Sequence, residues 1–195
     1  MTEGDVALAP LPQADGGSKP RPAAQNHHPP SRLIMTLPLD PTAPTDFDFF
    51  IGSWNVAHRR LKVRLAGCTE WETFSGASIA QKTLGGFGNV DDNVIELPSG
   101  PYRAVTLRSF NAEDGTWSIW WLDGRSPGRL EVPVVARFVD GVGTFFAEDT
   151  WEGKPIRLRF LWTRLRPESP RWEQAFSPDA GATWETNWVM DFTRS

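Results

Sequence analysis

Residues 102–123 read YRAVTLRSFNAEDGTWSIWWLD, and this stretch decides the fold. Two runs rich in β-branched and aromatic residues flank the short polar loop Asn111–Gly115, a pattern that is typical of a β-hairpin. Strands joined by so short a loop pair antiparallel, because a parallel crossover needs a dozen or more residues. The hairpin therefore predicts an antiparallel sheet.

The same pattern of strands and tight turns continues on both sides of the hairpin, without a helix of core-forming length. An open sheet of about ten strands would leave two exposed edges and a bare apolar face, which closure into a barrel removes. We therefore predict an all-β fold, a single antiparallel up-and-down barrel of about ten strands, with a two-sheet sandwich as the alternative. The predicted strands cover residues 54–60, 69–84, 89–97, 102–110, 117–123, 132–139, 142–151, 156–163, 172–176 and 184–192.

Two segments precede the first strand. Residues 1–44 hold nine of the 17 prolines and almost no periodic apolar pattern, so they cannot bury enough surface to offset their ordering entropy. We expect residues 1–44 to form a disordered tail and residues 45–195 to form the barrel domain. The segment Thr45–Gly52 is predicted to be a short helical turn, with Asp46 as its N-cap and Gly52 as its stop.

Composition excludes several classes of function. A net charge of −4, a pI near 5.4 and the lack of a basic tract argue against nucleic acid as a partner. No stretch approaches the roughly 20 apolar residues of a membrane span, and no secretory signal begins the chain. The single cysteine, Cys68, excludes an intrachain disulfide and fits a reducing compartment. We expect a cytoplasmic protein without metal or cofactor, and a homodimer is left open.

The candidate site follows from the face that the strands turn inward. Large aromatic residues on that face either fill the barrel or line a binding pocket. A polar residue on the same face would be buried, and burial is costly unless the residue is hydrogen-bonded or contacts a ligand. If the protein is an enzyme, the catalytic candidates are His58, Asp123 and Arg125. The candidate ligand-binding residues are Trp54, His58, Trp121, Asp123, Arg125, Asp149, Arg159, Trp162, Gln174 and Trp188.

The polar candidates also have structural interpretations. His58 is also interpretable as a core imidazole bonded to a neighbouring strand, and Asp123 and Arg125 as a salt bridge at a strand end. Asp149, Arg159 and Gln174 are each interpretable as cross-strand partners.

Residues 177–184, SPDAGATW, match the Asp-box pattern S-x-D-x-G-x-T-W of sialidase propellers, where the motif repeats once per blade. Here it occurs once. In that motif the Asp bonds the backbone, the Gly supplies an unusual φ and the Trp packs beneath. We therefore predict a structural turn between the last two strands and no sugar hydrolysis.

The opening FFIGSW, residues 49–54, resembles the entry motif of the lipocalins, or calycins, in which a Trp closes the barrel base beneath an Arg from the last strand. Arg194 stands where that partner would be. Further stretches are similar to a bacterial lipocalin-like family classed as a domain of unknown function, namely residues 49–60, 84–89, 117–127 and 172–194. The resemblance implies a lipocalin-like fold but no activity.

Four functions remain as hypotheses. The leading one is a protein that binds a small, largely apolar molecule in the barrel, with His58 and the Asp123–Arg125 pair orienting its polar end. The second is a cofactor-independent enzyme of the isomerase, cyclase or lyase type, with His58 as the base. The third is a haem-binding barrel that uses His58 as axial ligand, and the fourth is a module that recruits other proteins.

Overall fold

A computed structural model describes residues 37–166 and 168–195, and strands dominate this part of the chain. Alternating inward and outward side chains give most strands the buried–exposed periodicity of a half-buried sheet. The strands are β1 (Gly52–Leu61), β2 (Trp71–Thr83), β3 (Gly88–Leu97), β4 (Gly100–Asn111), β5 (Thr116–Asp123), β6 (Val134–Ala136), β7 (Phe138–Val139), β8 (Val142–Trp151), β9 (Lys154–Arg166), β10 (Ser169–Ser177) and β11 (Glu185–Arg194).

These strands form one antiparallel sheet that closes on itself. Their order is β6-β5-β4-β3-β2-β1-β11-β10-β9-β8-β7, and the pairing of Val135 in β6 with Phe146 in β8 completes the ring. The predicted up-and-down barrel is therefore confirmed. The predicted strand at residues 132–139 is divided into β6 and β7, because β6 pairs with both β5 and β8 whereas β7 pairs with β8 alone.

The chain enters the barrel through a 3-10 turn at Asp48–Phe50, close to the predicted helical turn. The prediction that Asp46 caps this turn is wrong, because no side chain caps it and Asp46 instead accepts a 3.0 Å hydrogen bond from the indole of Trp117. Residues 37–44, which the sequence assigned to the tail, are described, and the amide of Asp40 donates to the carbonyl of Gly85. The predicted disorder of residues 1–36 lies outside the described residues.

Aromatic side chains close the end of the barrel at which the chain enters. Trp54 stacks on Phe50 at 5.7 Å and donates its indole N–H to the Phe50 carbonyl. The guanidinium of Arg194 lies 3.8 Å from the Trp54 ring centroid and donates to the carbonyls of Phe49 and Ile51. The prediction that Arg194 covers Trp54 is confirmed. This end of the barrel is therefore sealed by packing.

The turn between β10 and β11 has the geometry that the Asp-box pattern predicts. Asp179 accepts hydrogen bonds from the amide and hydroxyl of Thr183, and these bonds lower the pKa of Asp179 to about 2. Gly181 adopts a φ of +101°, and Trp184 donates its indole N–H to the Gly181 carbonyl. The motif is therefore a hairpin turn, as predicted.

The strand predicted over residues 184–192 would place Trp184 and Trp188 on one face by alternation, and the structure does not bear this out. The pairing of β10 with β11 shifts register between Gln174 and Ala175, so that Asn187 is left without a partner in the ladder. An irregularity of this kind breaks the two-residue period that the prediction assumed. Trp184 instead packs against Arg159 and Phe146.

In the part of the chain that the structure describes, no helix has the length and apolar character needed to cross a membrane.

Candidate functional site

A cavity of about 430 Å³ opens at the end of the barrel opposite Trp54, a volume within the range of small-molecule sites. Its apolar wall comes from β8 to β11, whose inward side chains alternate with outward ones. The wall consists of Trp151, Ile156, Leu158, Phe176 and Trp188. Ionisable side chains from β1, β5, β8 and the loops beside them surround the mouth. The cavity therefore combines an apolar interior with a charged entrance.

Three rings, Trp121, Phe160 and Trp172, form the floor of the cavity, and we call them the aromatic floor. They line both the cavity and a void of about 30 Å³ beneath it. Phe160 and Trp172 meet edge-on at 4.8 Å, an arrangement that aromatic pairs favour. The aromatic floor thus separates the open cavity from the packed base of the barrel.

A cationic group lies on one side of the cavity. Arg60, at the end of β1, donates to Glu72 through both Nε and Nη2, so its charge is neutralised by that carboxylate. Arg64, in the loop after β1, lies over the rings of Trp151 and Phe176 at 4.9 and 5.6 Å. Burial, followed by the charge of Arg60, lowers the pKa of Arg64 to about 10, so Arg64 remains charged at neutral pH.

Asp123 and Arg125 form a bidentate ion pair at the mouth. Nε and Nη2 of Arg125 donate to the Asp123 carboxylate, and the guanidinium lies 3.7 Å from the ring centroid of Tyr102. These hydrogen bonds lower the pKa of Asp123 and raise the pKa of Arg125. The geometry matches the salt bridge that the sequence offered as one interpretation, and it also leaves both residues on the cavity lining.

Further carboxylates lie near this pair. Burial, followed by the negative charges of Asp149 and Asp123, raises the pKa of Glu131. Asp149 points inward from β8, whereas its neighbour Glu148 lies within 3.5 Å of Arg157 and is exposed. The mouth therefore carries both signs of charge, with the acidic groups clustered around Glu131.

His58 is enclosed by its neighbours and does not line the cavity. Its Nδ1 accepts a 3.2 Å hydrogen bond from the indole of Trp188, and its ring stacks on Phe74 at 4.8 Å. Burial, and then the charge of Arg60, lowers the pKa of His58 to about 4. Neither ring nitrogen is open to the cavity, so the geometry does not support a role as a general base or an axial haem ligand.

A polar network is buried below the aromatic floor. Arg108 and Asp91 form an ion pair whose side chains are each 3% exposed. Thr106 and Asn93 donate to the same Asp91 carboxylate, and Arg108 also donates to Asn89. The Arg108 guanidinium lies 5.1 to 5.3 Å from three rings, those of Phe47, Phe50 and Trp162. The network fixes β3 against β4 inside the barrel.

The structure brings six of the ten predicted site residues together on the cavity lining: Trp121, Asp123, Arg125, Asp149, Gln174 and Trp188. The other four lie elsewhere. Trp54 and Trp162 pack in the closed base, and His58 is enclosed beside Trp188. Arg159 faces outward onto Trp184, because it alternates with the inward residues Leu158 and Phe160 along β9.

Sequence reasoning missed Arg60, Arg64, Tyr102 and Glu131, which also line the cavity. Arg60 was in phase with Trp54 on β1, and Tyr102 begins the hairpin, so period-two alternation could have found both. Arg64 and Glu131 lie in loops, where no periodicity indicates which way a side chain points. The Asp91–Arg108 network also carried a signal, since Asn89, Asp91 and Asn93 are polar at alternate positions that share a face with Ile95.

Among the described residues, no group of three or more His, Cys, Asp or Glu side chains is placed to hold a metal ion.

The closed sheet, the sealed base and the open aromatic cavity define a lipocalin-like β-barrel. Among solved structures, the chain is similar to the S-type phycobiliprotein lyase CPES from Guillardia theta, with a TM-score of 0.52 and 9% sequence identity. The match covers 76% of this chain and 90% of the lyase. At that identity the likeness concerns the fold alone. No protein-family model and no curated protein matches the chain.

Proposed function

We propose that this protein binds a small, largely apolar molecule in the cavity at the open end of the barrel. The observation that carries the proposal is the 430 Å³ cavity, which is walled by aromatic and aliphatic side chains and not filled by them. A barrel of this size can enclose one small ligand, and an apolar wall with a few convergent polar groups is the usual composition of such a site.

The polar groups at the mouth give the ligand an orientation. We propose that Trp121 and Trp188 contact its apolar body, and that Asp123 and Arg125 contact a polar group at its outer end. Gln174 and Asp149 complete the predicted contacts on the cavity lining. The solved neighbour, a phycobiliprotein lyase, has the same type of barrel, which agrees with a ligand-binding role without indicating which ligand is bound here.

The enzymatic alternative depended on His58 as a base. Because Nδ1 of His58 already accepts a hydrogen bond and the pKa is lowered to about 4, this residue is poorly suited to proton transfer near neutral pH. Ligand binding is therefore the function that the geometry supports best, with Asp123 and Arg125 on the cavity lining. The cytoplasmic location remains a prediction from the sequence, and a homodimer remains the oligomeric state that the sequence left open.

The test uses the uncharged fluorescent probe N-phenyl-1-naphthylamine, titrated into the full chain. We expect saturable binding at one site, with quenching of tryptophan emission because Trp121, Trp151, Trp172 and Trp188 surround the cavity. Leu158→Trp should fill the cavity and abolish binding. Ile79→Trp is the matched control, since Ile79 is 62% exposed on the outer surface. Equal binding by the wild type and the folded Leu158→Trp variant would refute the proposed site.

A further inference from the structure

We infer that Arg64 forms an oxyanion subsite, so that the ligand of this cavity is an apolar, ring-containing molecule that carries a carboxylate or a chemically similar anionic group. The inference rests on the proposed function and specifies its ligand class. Of the four arginines on the cavity lining, Arg60 is paired with Glu72 and Arg125 with Asp123. Within the described ranges, no salt bridge or hydrogen bond engages the side chain of Arg64 or Arg129, and Arg129 is exposed.

The guanidinium of Arg64 is held in place by rings instead of by a carboxylate. It lies over the rings of Trp151 and Phe176, which belong to the cavity wall, and its side chain also lines the cavity. A planar guanidinium presents its donors in a rigid fork that matches the two oxygens of a carboxylate. Partial burial strengthens such a contact, because the local dielectric is lower than in water.

The backbone around Arg64 is also fixed. Leu65 adopts a positive φ of 55°, a conformation that L-residues rarely take, and its amide donates a 2.7 Å hydrogen bond to Glu185 at the start of β11. Glu185 thus bonds the backbone beside Arg64, and the charges of Glu185 and Glu131 act on the Arg64 guanidinium without forming an ion pair with it. The loop therefore presents to the cavity a cation that makes no direct ion pair among the described residues, and a ligand anion could supply that partner.

The test compares two probes of the same shape. N-phenyl-1-naphthylamine is uncharged, and 1-anilinonaphthalene-8-sulfonate has the same ring system with an added sulfonate. We expect both probes to compete for one site in the wild-type protein. Arg64→Met should weaken binding of the sulfonate about tenfold or more and change binding of the uncharged probe by less than about twofold.

Two further variants make the comparison specific. Arg59→Met removes one positive charge from the outer face of β1, the strand that precedes the Arg64 loop, where Arg59 lies over Trp71. This variant should leave both affinities unchanged. Arg64→Lys keeps the charge but loses the planar arrangement of donors, and should weaken binding of the sulfonate probe by about threefold or more. This conservative variant decides the question if Arg64→Met does not fold.

The outcomes separate the two proposals. Suppose that the wild type binds the uncharged probe, and that the Arg64 variants either weaken the binding of both probes equally or leave both affinities unchanged. The oxyanion subsite is then wrong and the cavity proposal stands. If neither probe binds the wild type, both proposals are wrong.

Discussion

The indole N–H of Trp188 donates a 3.2 Å hydrogen bond to Nδ1 of His58. An imidazole nitrogen that accepts a hydrogen bond does not carry a proton, so this contact favours neutral His58 with its proton on Nε2. Protonation of Nδ1 would break the bond and place a charge in a site where the side chain is only 1% exposed. The pair therefore joins β1 to β11 by a contact that depends on pH.

The first prediction concerns the pH dependence of stability. The pKa of His58 is lowered from 6.5 to about 4 in the folded protein, so the unfolded chain takes up this proton first as the pH falls. The free energy of unfolding should therefore decrease between about pH 6.5 and pH 4, by an amount that approaches roughly 3 kcal/mol at the lower limit. Urea unfolding at several pH values in that window measures the loss.

His58→Gln is the variant that isolates this effect. The glutamine amide can still accept the Trp188 hydrogen bond but does not titrate. We expect the variant to be less stable than the wild type near neutral pH and to show a smaller loss toward pH 4. Identical pH profiles for the two proteins would show that His58 does not carry the effect.

The second prediction concerns the glycine that faces His58. A Cβ atom at Gly76 would lie 2.6 Å from His58 Nε2 and 2.6 Å from the Val94 carbonyl oxygen, which belongs to backbone that cannot easily move. Gly76→Ala should therefore destabilise the barrel by about 1 to 3 kcal/mol through overpacking. Gly128→Ala is the control, because nothing lies within 4 Å of its added Cβ. Thermal unfolding of both variants checks the difference, and a Gly76→Ala melting temperature equal to that of Gly128→Ala would contradict it.

The third prediction concerns the buried Asp91–Arg108 pair. Asp91→Asn removes the carboxylate and leaves a buried guanidinium without its counter-charge, a change that costs about 3 to 5 kcal/mol in comparable pairs. Asp92→Asn, one residue along β3, is the matched control. Asp92 pairs with Arg103 on the exposed side of the same two strands, where a lost ion pair costs no more than about 1 kcal/mol.

Chemical denaturation of both variants measures the contrast. Adding Arg108→Met to Asp91→Asn should cost less than the sum of the two single changes, because the uncompensated cation is then absent. Additive losses would mean that the two residues do not act as a pair.

The fourth prediction concerns Arg194 at the sealed base. Arg194→Ala removes the contact with the Trp54 ring and two hydrogen bonds to backbone carbonyls, and should destabilise the barrel by about 1 to 3 kcal/mol. For a domain of this size we expect the melting temperature to fall by several degrees. Arg59→Ala removes an outer-face arginine that lies over Trp71, and should change the melting temperature little. Equal shifts for the two variants would refute a special role for Arg194.

Period-two alternation and short turns were sufficient to predict the barrel and most of its strands, whereas the Arg194–Trp54 contact was predicted from the resemblance of residues 49–54 to the lipocalin entry motif. They also placed Trp121, Asp123 and Trp188 on one inward face, and these residues do line the cavity. Alternation determines the face on which a side chain lies, but it does not determine the depth at which the side chain lies along the barrel axis. Trp54 and Trp162 therefore share the inward face with the site and yet belong to the sealed base.

The sequence by itself determined that the chain forms an antiparallel barrel with aromatic side chains inside, because the two-residue period of a strand is a local property. Only the tertiary structure decided that His58 is enclosed by Trp188 and Gly76, and that Arg64 reaches the cavity from a loop. Both outcomes depend on contacts between segments far apart in the chain. Such contacts decide whether a buried polar group is hydrogen-bonded within the protein or remains available to a ligand. A local sequence pattern does not contain this information.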